Sequence, residues 1–311
     1  MAIETDKIVL GGMVICRPAP LAYGNGTVCG FTLMSDLHIG AANIDYRRIE
    51  KELETAKEKG DRILINGDVF DLILPKDHKR FTPDVLHPRL RGRRDIINEV
   101  IKMGLEMLGP YANQIDMVGL GNHETSTESY HSIDPLKLLV YELEKIVAES
   151  DNKEHVVHYG GYTGFVDYRF RYITKKGDEA KGGQRWVVYY HHGSGGAAPV
   201  TKGMIDFNRK DVFIDSDVIW MGHKHNRLTS HVEKLSCPLL GRQPKTKDVR
   251  HIMTGSYQKT YVAQSQASVR KYGRRSNYAA DQGMAPQGKG GARVELHFPP
   301  SQDLYEMKVI Q

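Results

Sequence analysis

Asp36-Leu37-His38, Gly67-Asp68, Gly121-Asn122-His123-Glu124, His191-His192-Gly193 and Gly222-His223-Lys224-His225 are the segments of this 311-residue chain whose side chains could do chemistry. They combine carboxylate, imidazole and amide oxygen, a donor set that suits Mn²⁺, Fe²⁺, Co²⁺, Ni²⁺ or Zn²⁺ better than Ca²⁺. Taken singly, each is ordinary: Gly-Asp is a common turn, and Asn-His in a glycine-flanked loop usually makes a local polar contact. Their shared context is not ordinary. Each follows a short apolar run, at 28–34, 62–65, 115–120, 186–190 and 217–221.

Runs of that length, rich in Val, Ile and aromatic residues, read as buried strands and not as helices. Helical segments lie between them. Residues 43–59 place Ile49, Leu53 and Ala56 on one face, with Gly60 as the stop. Residues 94–108 do the same with Ile97, Ile101, Leu105 and Leu108, before Gly109-Pro110. Asp134 and Pro135 read as N-cap and first position of a helix running to about residue 148. This alternation predicts βαβ units with a parallel component in the sheet. The second half reads differently: 155–173 has the glycine interruptions and alternating aromatics of antiparallel strands, and 228–235, 250–254 and 293–298 are further strands. With no linker or repeat, one domain over residues 1–311 is expected, its motif-bearing core at about 28–260. A Gly/Gln-rich basic stretch at about 262–291 reads as a long mobile loop.

In an open α/β sheet the carboxyl ends of the strands line the ligand crevice. Five strands ending there bring together Asp36, His38, Asp68, Asn122, His192, His223 and His225. Seven ligands are too many for one tetrahedral ion and about right for two ions sharing a bridging carboxylate. His191 and His192 point to opposite faces of one strand, so only one of them reaches the ions.

Composition closes off other classes. With 40% apolar and 26% charged residues the chain has material for a core, which excludes wholesale disorder and a fibrous design. Three cysteines (Cys16, Cys29, Cys237), with no CxxC pair, give neither a disulfide framework nor a thiolate zinc site. Cys29 reads as a buried small hydrophobe. No run approaches the ~18 apolar residues of a membrane span, and Glu4 and Asp6 do not suit a secretory signal. A cytoplasmic protein with no membrane association is expected.

The ordered set DxH, GDxxD, GNH[DE], His-Gly and GHxH resembles the signature of the calcineurin-like metallophosphoesterase superfamily, including its small phage-type members. Asp36-Leu37-His38, Gly67-Asp68-Val69-Phe70-Asp71, Gly121-Asn122-His123-Glu124, His192-Gly193 and Gly222-His223-Lys224-His225 supply all five motifs. The resemblance implies a four-layer αββα sandwich: two mixed β-sheets flanked by helices, with a dinuclear site at the strand ends. It assigns Asp36, His38, Asp68 and His225 to one ion, and Asp68, Asn122, His192 and His223 to the other. Asp68 is then the bridge, and the ligand directly before glycine is His192. His123 takes the role of proton donor, while Asp71 and Glu124 orient ligands. The cofactor expected is two divalent ions, Mn²⁺ first, with Fe, Co, Ni or Zn as substitutes. Gly193-Ser194-Gly195-Gly196 lacks the Lys-Ser/Thr of a nucleotide P-loop and is read as letting backbone pass close to the metals.

The implied activity is hydrolysis of phosphodiesters, in nucleic acid or nucleotides, by metal-activated water. The alternatives are a phosphomonoesterase, a hydrolase of cyclic nucleotides or other small diesters, and an inactive member that binds nucleic acid. The charge distribution bears on this choice. The 43 basic and 38 acidic residues give +5 overall. Lys76 to Arg94 alone carries seven basic and two acidic residues. Arg89, Arg91, Arg93 and Arg94 within it are expected to contact a phosphoester substrate, DNA or RNA among them. Arg270, Lys271, Arg274 and Arg275, interleaved with Tyr261, Tyr272 and Tyr278, form a second such surface.

Overall fold

A computed structural model describes residues 13–24, 26–74, 81, 83–152, 154–174, 176–196, 200–236, 244–261, 283, 286, 288–299 and 305–311. The first half contains β1 (Val14–Cys16), β2 (Leu21–Tyr23), β3 (Val28–Met34), α1 (Tyr46–Lys59), β4 (Arg62–Asn66), α2 (Ile96–Leu108), β5 (Ile115–Gly119), α3 (Asn122–His131) and α4 (Pro135–Glu149). The second half contains β6 (His158–Tyr159), β7 (Thr163–Ile173), β8 (Glu179–His191), α5 (Met204–Asp211), β9 (Val218–Met221), β10 (Leu228–Ser236), β11 (Lys245–Met253), β12 (Ala292–His297) and β13 (Glu306–Ile310).

Local chemistry sets the helix ends. Gly60 closes α1 in the left-handed conformation at φ 67°, its N–H bonded to carbonyls of the last turn. The Asp134 carboxylate accepts from the Lys137 N–H at 2.9 Å and caps α4, with Pro135 at its first position. α1 begins at Tyr46 and α2 at Ile96, two or three residues later than the apolar spacing suggests.

Among the described residues the strands form two mixed sheets. One has the order β13-β12-β3-β4-β5-β6, in which β3 to β6 run parallel and β12 antiparallel to β3. The other has the order β1-β7-β8-β9-β11-β10, with β2 also on β7. There β8, β9 and β11 are parallel, β7 is antiparallel to β8 but parallel to β1 and β2, and β10 is antiparallel to β11. Strand alternation splits the apolar residues into three cores. Phe31, Leu33, Leu64 and Met117 meet Tyr168, Trp186, Val188, Tyr190 and Trp220 between the sheets. Met34, Ile63, Ile65 and Val118 turn the other way, onto Ile49 and Leu53 of α1 and Leu136, Leu139 and Leu143 of α4. On the far side Tyr189, Ile219 and Met221 cover Phe207 of α5. The result is the expected αββα sandwich.

One detail differs from the sequence reading. Cys29 is only partly buried at the margin of the inter-sheet core, whereas Cys16 is fully buried in it. Most of 262–291, including Arg270, Lys271, Tyr272, Arg274, Arg275 and Tyr278, lies outside the described residues, while Lys289 forms a parallel bridge with Ser256 and leads into β12. No helix among the described residues is long and apolar enough to cross a membrane.

Candidate metal centre

Parallel pairing puts the carboxyl ends of β3, β4 and β5 at one end of their sheet, and the ends of β8 and β9 at the matching end of the other. The loops leaving those five ends meet across the seam. Asp36 and His38 follow β3, Asp68 follows β4, Asn122 opens α3 just after β5, His192 follows β8, and His223 and His225 follow β9.

One cluster joins Asp36, His38 and His225: His225 Nε2 is 3.3 Å from Asp36 Oδ1 and 3.4 Å from His38 Nε2. A second joins Asp68, His192 and His223, with His192 Nε2 3.2 Å from Asp68 Oδ2. The two meet at Asp68, since His38 Nε2 is 3.9 Å from Asp68 Oδ2. Asn122 Oδ1 is buried and has no hydrogen-bond partner. An orphaned buried acceptor of this kind fits a cation. The donor set and its geometry therefore suit two divalent ions bridged through Asp68.

The backbone carries the same signature. Asp36, His38, Asp68, His223 and His225 all have positive φ, between 47° and 66°. Non-glycine residues held there cost of order 1–3 kcal/mol each, and such outliers concentrate at functional sites. Close approach is secured by glycine. A Cβ on Gly67 (φ 73°) would sit 2.4 Å from His192 Nδ1, and one on Gly193 (φ 119°) 2.7 Å from the His223 Cβ. The latter is the close backbone passage expected for the glycine run that begins there.

A surrounding shell fixes the orientations. His38 Nδ1 lies 3.2 Å from the Asp71 carboxylate, and His192 Nδ1–H donates to the Asn66 carbonyl at 2.9 Å, so each ring turns Nε2 to the cradle. Glu124 accepts from the N–H groups of Asp68 (3.1 Å), Phe70 (2.8 Å) and Gly121 (2.9 Å), which locks the Asp68 loop to the start of α3. Asp36 accepts from the His223 N–H at 3.0 Å and from the Ser35 hydroxyl. Ser35 is in turn bonded to Thr254, which accepts from Trp220 Nε1. Asn66 also donates across the seam to the His191 carbonyl at 3.2 Å. Ser35, Asn66 and Thr254 escaped sequence reasoning; only the adjacency of Ser35 to Asp36 and of Asn66 to Gly67 could have signalled two of them.

His191 is turned away: its Nδ1 accepts from the Gly193 N–H at 2.8 Å, and its carbonyl is engaged by Asn66. His123 needs a fuller description. Its backbone N–H donates to Asp68 at 3.0 Å, and its Nδ1 bonds the Asp71 carbonyl. Its Nε2 is 4.0 Å from Asp68 Oδ2, close enough that His38, Asp68 and His123 form a third cluster with the spacing of metal ligands.

The electrostatics reflect crowded opposite charges. Burial depresses the His192 imidazole, but the Asp68 carboxylate prevails and holds its pKa up at about 10. Burial opposes ionisation of Asp68, yet His192 and His123 pull its pKa well below the carboxylate range. Burial likewise works against protonation of His123, which Asp68 and Asp71 nevertheless raise. Burial, reinforced by Asp68, pushes Glu124 up to about 7. Protons gather in the cradle where cations would be favoured.

Three of the four arginines expected to meet substrate make contacts within the protein. Arg89 bonds Glu99 at 2.5 Å and the Glu106 carboxylate through both terminal nitrogens. Arg93 pairs with Asp95 and Glu99, and Arg91 donates to the carbonyls of Leu86 and Asp84. Arg94 is exposed. The segment packs on the loop after His38 through the Ala41–Leu86 bridge, and its Lys76, Lys79 and Arg80 lie outside the described residues.

A two-sheet αββα sandwich with a carboxylate–imidazole–amide cradle at its strand ends defines a metal-dependent hydrolase. The chain belongs to the calcineurin-like phosphoesterase family, whose sequence model matches residues 30–227. That span holds all five motifs and every residue of the cradle. No curated protein matches the sequence. Solved structures to which the chain is similar include a predicted phosphoesterase of Streptococcus pneumoniae, at 13% identity over 91% of this chain and 98% of that one, TM-score 0.32. Another is a hypothetical protein of Thermus thermophilus, at 13% identity over 91% and 100%, TM-score 0.33. A third is GAP50, described as the anchor in the inner membrane complex of Plasmodium, at 11% identity over 91% and 89%, TM-score 0.34.

Proposed function

We propose that the protein is a phosphodiesterase acting on nucleic acid or nucleotides, with Asp36, His38, Asp68 and His225 holding one divalent ion and Asp68, Asn122, His192 and His223 the other. The observation that carries this reading is the pair of clusters meeting at Asp68, with His123 poised beside it. Bound ions, Mn²⁺ first among them, would supply a nucleophilic water near neutral pH and neutralise charge on the phosphoryl oxygens.

The chain's own groups do the rest. Asp71 and the Asn66 carbonyl hold the His38 and His192 rings so that no reorientation is needed on binding. The Asp71 carbonyl fixes the His123 ring through Nδ1, leaving Nε2 to give a proton to the departing oxygen. Lys224, between two of the histidines, turns away to Asp206, and among the described residues no other lysine or arginine bonds the cradle. A site without a further cation suits the single charge of a diester better than the double charge of a monoester.

The test is turnover of bis(p-nitrophenyl) phosphate against p-nitrophenyl phosphate and cyclic nucleotides, with the protein loaded in turn with Mn²⁺, Fe²⁺, Co²⁺, Ni²⁺ and Zn²⁺. Higher kcat/KM on the linear diester supports the reading. Preference for the monoester or for a cyclic nucleotide replaces it by one of those alternatives, and no turnover with any metal leaves a binding protein.

A further inference from the structure

A cavity of about 620 Å³ lies between α1 and the start of β12, bordered by Arg227 two residues beyond His225. Its lining is unusually cationic: Arg47, Arg48, Lys51, Lys59, Arg227 and Arg293 against Asp45 and Glu52. The acids are already engaged. Glu52 accepts from Arg48 Nε at 2.9 Å, the Tyr257 hydroxyl at 2.5 Å and the Gly291 N–H at 3.0 Å. Asp45 is 3.5 Å from Lys259 Nζ, and Arg293 is held by Asp61. No ion pair is found among the described residues for Arg47, Lys51, Lys59 or Arg227, with Glu52 the carboxylate near Arg227.

Two further features set this cavity apart from an ordinary solvated surface. Arg47 and Lys51 are i,i+4 neighbours on α1, a like-charge pair that destabilises a helix, with Lys59 about two turns further on. Arg227 Nε is buried without a hydrogen-bond partner. The four-residue spacing sets cations about 6 Å apart along the helix. The cavity has no aromatic side chain in its lining, so it offers nothing on which a base could stack. A ligand there is gripped through phosphates and without regard to sequence.

Hydrogen bonds tie the rim of the cavity to the metal centre. The Asp45 N–H, just before α1, donates to the Tyr257 carbonyl at 2.9 Å, and the Ser256 hydroxyl donates to the Asp36 carbonyl at 3.2 Å.

We infer that this cleft between α1 and β12 is a binding track for the sugar–phosphate backbone of a single-stranded nucleic acid, leading from Lys51 and Arg47 past Arg227 to the metal centre. The inference rests on the phosphodiester reading above and names the polymer as the substrate class. Phosphates are met by side chains that form no ion pair among the described residues, in contrast to Arg89 and Arg93.

Binding of a labelled single-stranded oligothymidylate is measured by fluorescence anisotropy in chelator, so that the strand is held and not cut. The proteins are the wild type, Arg47→Ala/Lys51→Ala, and Lys102→Ala, which removes an exposed lysine from α2. The double variant should lower the log–log salt slope by ~1.4, at ~0.7 for each single-strand phosphate no longer neutralised, which extrapolated from 1 M salt weakens binding about 25-fold at 0.1 M. Lys102→Ala should bind as wild type, and inorganic phosphate or a mononucleotide should compete far less well than the polymer. An unchanged slope in the double variant, equal weakening by Lys102→Ala, or full competition by inorganic phosphate each overturns the track. The two readings fail separately. A protein that cleaves no diester yet grips the strand through Arg47 and Lys51 refutes only the hydrolysis. One that cleaves small diesters but binds the strand independently of these residues refutes only the track.

Discussion

Asp71→Ala probes the shell around the metal centre without touching a ligand. The Asp71 carboxylate lies 3.2 Å from His38 Nδ1, and both side chains are nearly sealed from solvent at 4% and 2% exposure. Its removal leaves a buried imidazole N–H without its acceptor, a loss of about 1–3 kcal/mol in the folded protein. Removing an outer partner of a ligating histidine weakens metal affinity ~10–100-fold, or about 1.4–2.7 kcal/mol. Asp71→Asn keeps an acceptor oxygen for Nδ1 and gives up only the charge, so its loss should fall near the lower end of that range. The loss should also be confined to the ion held by His38, because His192 is oriented by the Asn66 carbonyl instead. Competition titration of Mn²⁺ against a chromophoric chelator resolves two binding steps and reads both affinities. Wild-type affinity at both steps in Asp71→Ala would refute the assigned orienting role. Equal weakening at both steps would show that the two positions are not separately supported.

His192→Ala should abolish one ion while His191→Ala retains both by elemental analysis, and the opposite ranking would exchange their roles. His123→Ala should keep both ions but lower kcat ~10²–10⁴-fold on diesters with poor leaving groups, with little loss on an activated leaving group; loss of an ion would make it a ligand, as its cluster with His38 and Asp68 permits. His155 gives a stability prediction away from the site. Burial, then the Arg62 guanidinium 2.9 Å from Nδ1, lowers its pKa. The unfolded chain therefore takes up a proton that the folded one resists, and this contribution to stability is lost as pH falls below the ordinary value of about 6.5. His155→Gln should flatten that part of the pH profile of urea midpoints, and an unchanged profile would refute the assignment.

The cradle was legible in the sequence because each of its residues sits just past an apolar run, and parallel strands put such positions at one end of a sheet. Strand ends were legible for the same reason: the run 28–34 matches β3 residue for residue. α3 was not legible. Its sequence NHETSTESYH has no apolar stripe, and it is held by Glu124 reaching back to Gly121 and by packing beside α4. β1 and β2 are too short to carry a period of two, and exist because the edge of β7 accepts them. The sequence pointed to Arg89, Arg91 and Arg93 as a cationic surface, but charge runs do not disclose their partners: Glu99 and Glu106 reach Arg89 from the next helix. The cationic residues of α1 were masked by Glu50, Glu54 and Glu58, which interleave with them in sequence.

Each proposed ion position takes ligands from both sheets: Asp36, His38, Asp68 and Asn122 from the loops of one, and His192, His223 and His225 from those of the other. The seam between the sheets is thus a pair of jaws whose opening at this end is set by the cradle itself. Its grip combines hydrogen bonds across the seam, from Asn66 Nδ2 to the His191 carbonyl, from His192 Nδ1 to the Asn66 carbonyl and from the His223 N–H to Asp36, with histidines facing carboxylates. Sliding one sheet against the other by even a fraction of an ångström would change both coordination spheres together. Mutations in the inter-sheet core far from the chemistry, at Trp186 or Phe31 for example, therefore have a mechanical route to the separation of the two ions.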